Sequence, residues 1–180
     1  MQYKVEQGTY YVRVSRERGN TPYKLNLAVK SSQTDAEPPS PALNNSSFVQ
    51  RVVDLTNAYR TQAGLQPLKL NAKLSAAAYK HSRDMALNDF FNHTGSDGSR
   101  AADRISKQGY NYGNAGENIA AGYTTPETVF QGWMNSPGHR ANILYPNVKE
   151  IGVGFYFLSN DSGKAPYQYY WTQAFATPAG

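Results

Sequence analysis

Apolar residues change their period several times along the chain, and each change predicts an element. From Ser47 onward Phe48, Val52, Leu55 and Tyr59 step by four, three and four, which sets them on one helical face behind a Ser46 or Ser47 cap, with Gly64 ending the helix. Leu74, Ala78, His81 and Met85 make the same stripe on a second helix. The loop His93-Thr94-Gly95-Ser96-Asp97-Gly98 leads to a short helix carrying Ala102 and Ile105. Thr125-Pro126-Glu127 then combines a capping hydroxyl, a proline in the first turn and an acid at the positive dipole end, so a helix with Val129, Phe130, Trp133 and Met134 follows. Ser136-Pro137 repeats the signal, and a second short helix runs from near Gly138 through Ile143 and Leu144. Beyond it the period drops to two. Ile151, Val153, Phe155 and Phe157 alternate outward, Ser159 to Lys164 turns the chain, and Tyr167, Tyr169, Trp171, Gln173 and Phe175 alternate on the way back. Gly152-Val153-Gly154 within the outward strand reads as a close backbone approach. Gly116-Glu117-Asn118-Ile119-Ala120 is a third strand, and Gly113-Asn114-Ala115-Gly116 before it reads as a turn. Helices against a small, mostly antiparallel sheet make an α/β/α or α+β layered domain that begins near Ser47.

Ahead of it, residues 1–30 alternate through Tyr11, Val12 and Val14, a polar turn at residues 15–20, and Tyr23, Leu25, Leu27 and Val29, which predicts a β-hairpin. A lone hairpin is marginal in water, so it is expected either to pack on the main domain or, the better option, to be the tail of a β-sandwich. Residues 31–46, with their prolines and small polar residues, read as a linker. Met1 is not followed by a basic segment and an apolar core, so no signal peptide is expected at this end.

Composition narrows the function classes. Hydrophobic residues make up 39% of 180, and no apolar run approaches the ~20 residues of a membrane span. Fourteen Tyr supply much buriable area. The absence of Cys excludes a disulfide framework, a thiolate metal site and a cysteine nucleophile. The net charge is +5, but the cations (among them Lys69, Lys80, Arg104, Lys107 and Lys149) are scattered, which reads as a solvated basic surface and not as a nucleic-acid footprint.

Three histidines carry most of the remaining chemistry. His81, between Ala78 and Met85, reads as a packed, hydrogen-bonded core residue. His93 follows Phe90-Phe91-Asn92, which reads as a buried anchor, and stands at the mouth of a Gly-rich loop. His139 lies just inside the Ser136-Pro137 helix start, where the dipole favours the neutral imidazole that binds metals. Glu117 interrupts an apolar strand, and a carboxylate there asks for a cationic or metal partner. Together His93, Glu117 and His139 form a candidate site for zinc or another divalent cation, although no local motif fixes their geometry. Ser136 beside His139 is read as a helix N-cap rather than a nucleophile.

Phe91-Asn92-His93-Thr94, Gly116-Glu117-Asn118-Ile119-Ala120, the run Trp133-Met134-Asn135-Ser136-Pro137-Gly138-His139-Arg140-Ala141-Asn142-Ile143-Leu144, Ile151-Gly152-Val153-Gly154 and Tyr170-Trp171-Thr172-Gln173 occur in that order. With Asn57-Ala58-Tyr59-Arg60 and Leu65-Gln66-Pro67-Leu68 before them, they resemble, over residues 47–177, the bacterial branch of the CAP superfamily, which unites cysteine-rich secretory proteins, insect venom allergens and plant pathogenesis-related proteins. The resemblance implies a three-layer α-β-α sandwich with a central cleft where two His and two acidic residues gather, a tetrad that holds zinc or another divalent ion in some members. His93, Glu117 and His139 match three of the four. Where many eukaryotic members place the second acid, three residues after the Trp, this chain has Ser136. Gly8-Thr9-Tyr10-Tyr11-Val12-Arg13-Val14 and Pro22-Tyr23-Lys24-Leu25-Asn26-Leu27 resemble the last strands of bacterial pre-peptidase C-terminal domains.

These readings leave three functional expectations for a secreted or cell-envelope protein. A binding module would hold a lipid, sterol, peptide or glycan in the cleft. A metal-dependent hydrolase would use Glu117 as base. An adhesion or signalling module would act through its surface, with the cleft a relic.

Overall fold

The structure is a computed structural model that describes residues 41–180, backbone only over 41–45. The expected hairpin over residues 1–30, its resemblance to pre-peptidase C-terminal domains and most of the 31–46 linker lie outside the described residues.

Among the described residues five helices and four strands follow in the order α1 (Pro41–Gln62), β1 (Lys69–Leu70), α2 (Ala72–Leu87), α3 (Ala101–Lys107), β2 (Tyr112–Ala121), α4 (Pro126–Asn135), α5 (Pro137–Ile143), β3 (Glu150–Phe157) and β4 (Tyr169–Pro178). Helix α1 starts at Pro41, a residue suited to a first turn, and not behind Ser46 or Ser47. Gly64, at φ 75°, closes its C-terminal end as expected. The sheet order is β1-β3-β4-β2, antiparallel except for the short β1–β3 pair. Residues 113–116, expected as a turn, belong to β2, where the register shifts between Tyr112 and Asn114 and Gly113 gives the backbone the freedom to bulge.

Alternation along the strands sorts the core into two faces. Ile151, Val153 and Phe155 of β3, with Trp171 and Phe175 of β4, meet Val52 and Val53 of α1, Val129, Phe130 and Trp133 of α4 and Ile143 of α5. On the opposite face Ala174 and Ala176 meet Leu74, Ala77 and Ala78 of α2 and Ile105 of α3. Gly152 and Gly154 share that second face. A Cβ on either would lie 2.1–2.2 Å from the α2 backbone at Leu74–Ser75 and Ala78–Tyr79, so helix and strand touch main chain to main chain. Three layers result, α1/α4/α5, the sheet, and α2/α3, which is the α+β sandwich expected.

Candidate functional site

Strand β2 decides where the site residues point. Asn118 and Ala120 face the α4/α5 layer, whereas Glu117 and Ile119 face α2 and α3. The Glu117 carboxylate therefore meets Arg104 of α3, whose Nη2 donates to Oε2 at 2.6 Å, and His93, whose Nδ1–H donates to Oε1 at 2.9 Å. With its side chain only 6% exposed, Glu117 has the cationic partner its burial requires. Burial by itself pushes its carboxyl up. The His93 hydrogen bond and the His81 and Arg104 fields outweigh that, so the net position is below the ordinary carboxylate range.

Arg104 is thus not part of a solvated basic surface. It is buried, and beyond Glu117 its guanidinium donates to the carbonyls of Ser99 (2.7 Å) and His93 (3.1 Å), closing the 93–99 loop onto α3. Asp84 of α2 accepts from the Ser96 N–H and hydroxyl and pins the same loop from the other side. His81 is the core residue the pattern predicted: fully buried, it donates from Nε2 to the Asn92 carbonyl at 3.0 Å, and burial holds its pKa below the ordinary value. Two flanking carbonyls are thereby gripped, one by His81 and one by Arg104. The His93 ring stands out from that grip, with its side chain 58% exposed and its Nε2 free of the Glu117 bond.

The anchor ahead of His93 differs from expectation. Phe90 is half-buried beside Met85 and Tyr170, but Phe91 is exposed and packs edge-on against Tyr167 of the β3–β4 connection. Asp89, at φ 56°, turns the chain between helix and loop just before this pair.

His139 lies in the first turn of α5. Its carbonyl accepts from Asn118 Nδ2 at 3.1 Å; Asn118 also bonds Gln173 and Asn142, and Gln173 reaches Thr56 of α1. This buried amide network holds α5 against β2 and β4. Burial, then the neighbouring charge of His93, lowers the His139 pKa and favours the neutral ring. Ser136 occupies the N-cap position of α5, but its hydroxyl makes no capping bond and lines the cleft instead.

That cleft, about 550 Å³, is bounded by His93, His139, Ser136, Asn92, the Ile119–Ala121 stretch of β2 and the rings of Phe91, Tyr123, Trp133 and Tyr167. Glu117 is not on its wall; it borders a separate depression with His93, Thr94 and Arg100. The structure thus brings His93 to both His139 and Glu117 but leaves the latter two on different faces of β2. Among the described residues no group of three His, Asp or Glu is gathered so as to hold a metal ion. The Glu117 carboxylate is engaged instead by a guanidinium and an imidazole N–H.

Sequence reasoning missed Arg104 and the aromatic wall. Glu117's need for a cation pointed to the first, and Gly132 in the interior of α4 to the second. A Cβ there would lie 2.6 Å from the Tyr123 hydroxyl, so this glycine makes room for the ring.

The comparisons with known proteins agree with this architecture. The sequence matches the CAP (Cysteine-rich secretory protein) family over residues 53–175. It is 40% identical over 156 residues to the Bacillus subtilis protein YkwD, an alignment covering 87% of this chain and 56% of that one, so the chain spans little more than half of its relative. The crystal structure of an extracellular protein containing a SCP domain from Bacillus anthracis superposes with a TM-score of 0.68 at 31% identity, over 77% of this chain and 43% of that one. An outer surface protein of Borrelia burgdorferi shares the fold at 18% identity and a TM-score of 0.65, over 72% and 92% of the two chains. With its family match running from α1 into β4 and its three layers in the arrangement of these neighbours, the chain belongs to the CAP family.

Proposed function

We propose that this CAP domain works outside the cell as a ligand-binding module whose site is the His93–His139 cleft. The extracellular origin of the Bacillus anthracis neighbour supports the location, and no helix among the described residues is long and apolar enough to cross a membrane. One observation carries the binding role. The cleft is lined by two imidazoles, a hydroxyl and an amide among rings and small apolar residues, and the chain gives these groups a buried support of their own. Hydrolysis would require a base free to meet substrate, and Glu117 is engaged with Arg104 and His93 away from the cleft wall.

Nuclear magnetic resonance of the histidine ring protons tests this reading. A panel of triacetylchitotriose, cellotriose, trialanine and palmitate is titrated into the full chain. At least one probe is expected to shift the His93 and His139 signals saturably and leave buried His81 unmoved. Ser136→Trp, which fills the cleft, should abolish the effect. If no probe moves either ring, the cleft is not a binding site and a surface role takes its place.

A further inference from the structure

Three aromatic side chains stand at the mouth of the cleft with large exposed faces: Phe91 at 41%, Tyr123 at 37% and Tyr167 at 44% exposure. They come from three different segments, the α2–α3 loop, the β2–α4 link and the β3–β4 connection. Each is held where it is by a device of its own. Tyr123 rests over Gly132, whose missing side chain provides the space, and its carbonyl accepts from the buried Trp171 indole. Phe91 and Tyr167 meet edge to face at 5.8 Å, and Tyr167 packs in the same way on the fully buried Tyr170. The segment carrying Tyr167 is latched at both ends: the Asp89 carboxylate accepts from the Lys164 and Ala165 N–H groups at 2.8 Å, and Asp161 accepts from the Gln168 N–H and the Tyr170 hydroxyl. Gly163 fits under Asp89 only because it lacks a Cβ.

Rings fixed in this way yet left in water contribute little to the core, and a tyrosine with two torsions loses little freedom when a ligand arrives. Between them the cleft offers Asn92, His93, Ser136 and His139, all able to hydrogen-bond. No Asp, Glu, Lys or Arg lines it. The ligand class follows from that combination. A phosphate or carboxylate ligand would find no lysine or arginine, and a fatty acyl chain would leave imidazole, amide and hydroxyl groups facing it unpaired. A pyranose ring suits both features, because its axial C–H face packs flat on an aromatic ring while its rim of hydroxyls or acetamido groups needs uncharged donors and acceptors. We infer that the cleft is a saccharide site for an uncharged oligosaccharide, with sugar rings stacked on Tyr123 and on the Phe91–Tyr167 pair and hydroxyls bonded by Asn92, His93, Ser136 and His139.

This inference rests on the binding role proposed for the cleft, and the test separates the two. The full chain and its Tyr123→Ala and Tyr167→Ala variants are titrated with triacetylchitotriose, cellotriose, trialanine and palmitate, following the histidine and tyrosine ring signals. One of the two saccharides is expected to bind saturably at the cleft, and each variant to weaken it about tenfold, the loss of one stacked ring. Thermal unfolding of the variants, whose rings are exposed, should show the fold intact. Binding of trialanine or palmitate alone at the same signals overturns the saccharide inference and keeps the binding role. Saccharide binding indifferent to both substitutions overturns the inference, since the rings then take no part. Silence from all four probes overturns inference and binding role together.

Discussion

On the α2 face of the sheet, Gly152 and Gly154 bring a strand and a helix into main-chain contact; beside the cleft, Gly132 makes room for a tyrosine ring that stays exposed. The same residue type thus closes one region and furnishes the other. In the closed region the neighbour of each missing Cβ is backbone, which cannot move without the helix. Near the cleft it is the far end of a side chain, which can. Close backbone packing and exposed ring surface are therefore placed in different parts of the molecule, and His93 stands at their junction with its backbone gripped by the first and its ring facing the second.

The largest effect should come from removing a charge on the closed side. Arg104→Ala strips Glu117 of its guanidinium and the 93–99 loop of two hydrogen bonds, and is expected to cost about 3–5 kcal/mol in urea unfolding, the range for an orphaned buried ion. A loss near that of an exposed pair such as Arg51–Glu127 would place Arg104 outside the closed region.

The two kinds of glycine give the next contrast. Gly154→Ala forces a methyl group against the α2 backbone and should cost about 1–3 kcal/mol or more. Gly132→Ala displaces only the Tyr123 ring, and the better helix former offsets that by up to about 1 kcal/mol, so stability should hardly change. Equal losses in the two variants would erase the distinction between closing and furnishing glycines.

Acid should act on both regions in one direction. His81 and His139 sit below the ordinary 6.5 in the folded protein, so in that window the unfolded chain binds more protons. Their contribution is complete above pH 6.5 and is lost as the pH falls toward their folded values. Glu117, held below the ordinary 4.5, adds a second loss as the pH falls through its own folded value. Denaturation midpoints should therefore decline from pH 7.5 to 5, and His139→Gln should flatten that decline. A midpoint that rises on acidification would contradict the directions given.

The smallest effect expected is none. Because the Glu117 carboxylate is engaged on the closed side, Glu117→Gln should leave zinc titration calorimetry at pH 7.5 unchanged from the parent protein. Tight zinc binding that disappears in Glu117→Gln would restore this residue as a ligand.

The elements were legible because their signals are local. The Thr125-Pro126-Glu127 start, the four-and-three spacing on α2 and the alternation of β3 and β4 each depend on a few consecutive residues. The close approach at Gly152 and Gly154 was legible too, since glycine alternating with Ile, Val and Phe leaves one face of the strand bare for a neighbouring backbone. The site was legible only in part. His93 and His139 could be named but not their orientation, and strand alternation placed Glu117 and Asn118 on opposite faces, which moved the carboxylate away from α5. Arg104 resembled any surface cation because its partners lie 5, 11 and 13 residues away, beyond any helical pattern. Phe91 read as an anchor beside Phe90, but no local pattern separates a ring exposed against another exposed ring from a buried one.

The indole of Trp133 and the amide of Asn142 have a consequence beyond packing. Register puts the Glu117 and Ile119 carbonyls on the side of β2 away from β4, where a strand from another molecule would pair, and Trp133 donates to the second while Asn142 donates to the first. At the other margin β1 pairs with only Glu150 and Ile151 of β3. A strand arriving from another molecule would have to displace an indole and an amide before it could pair with β2 at these two carbonyls.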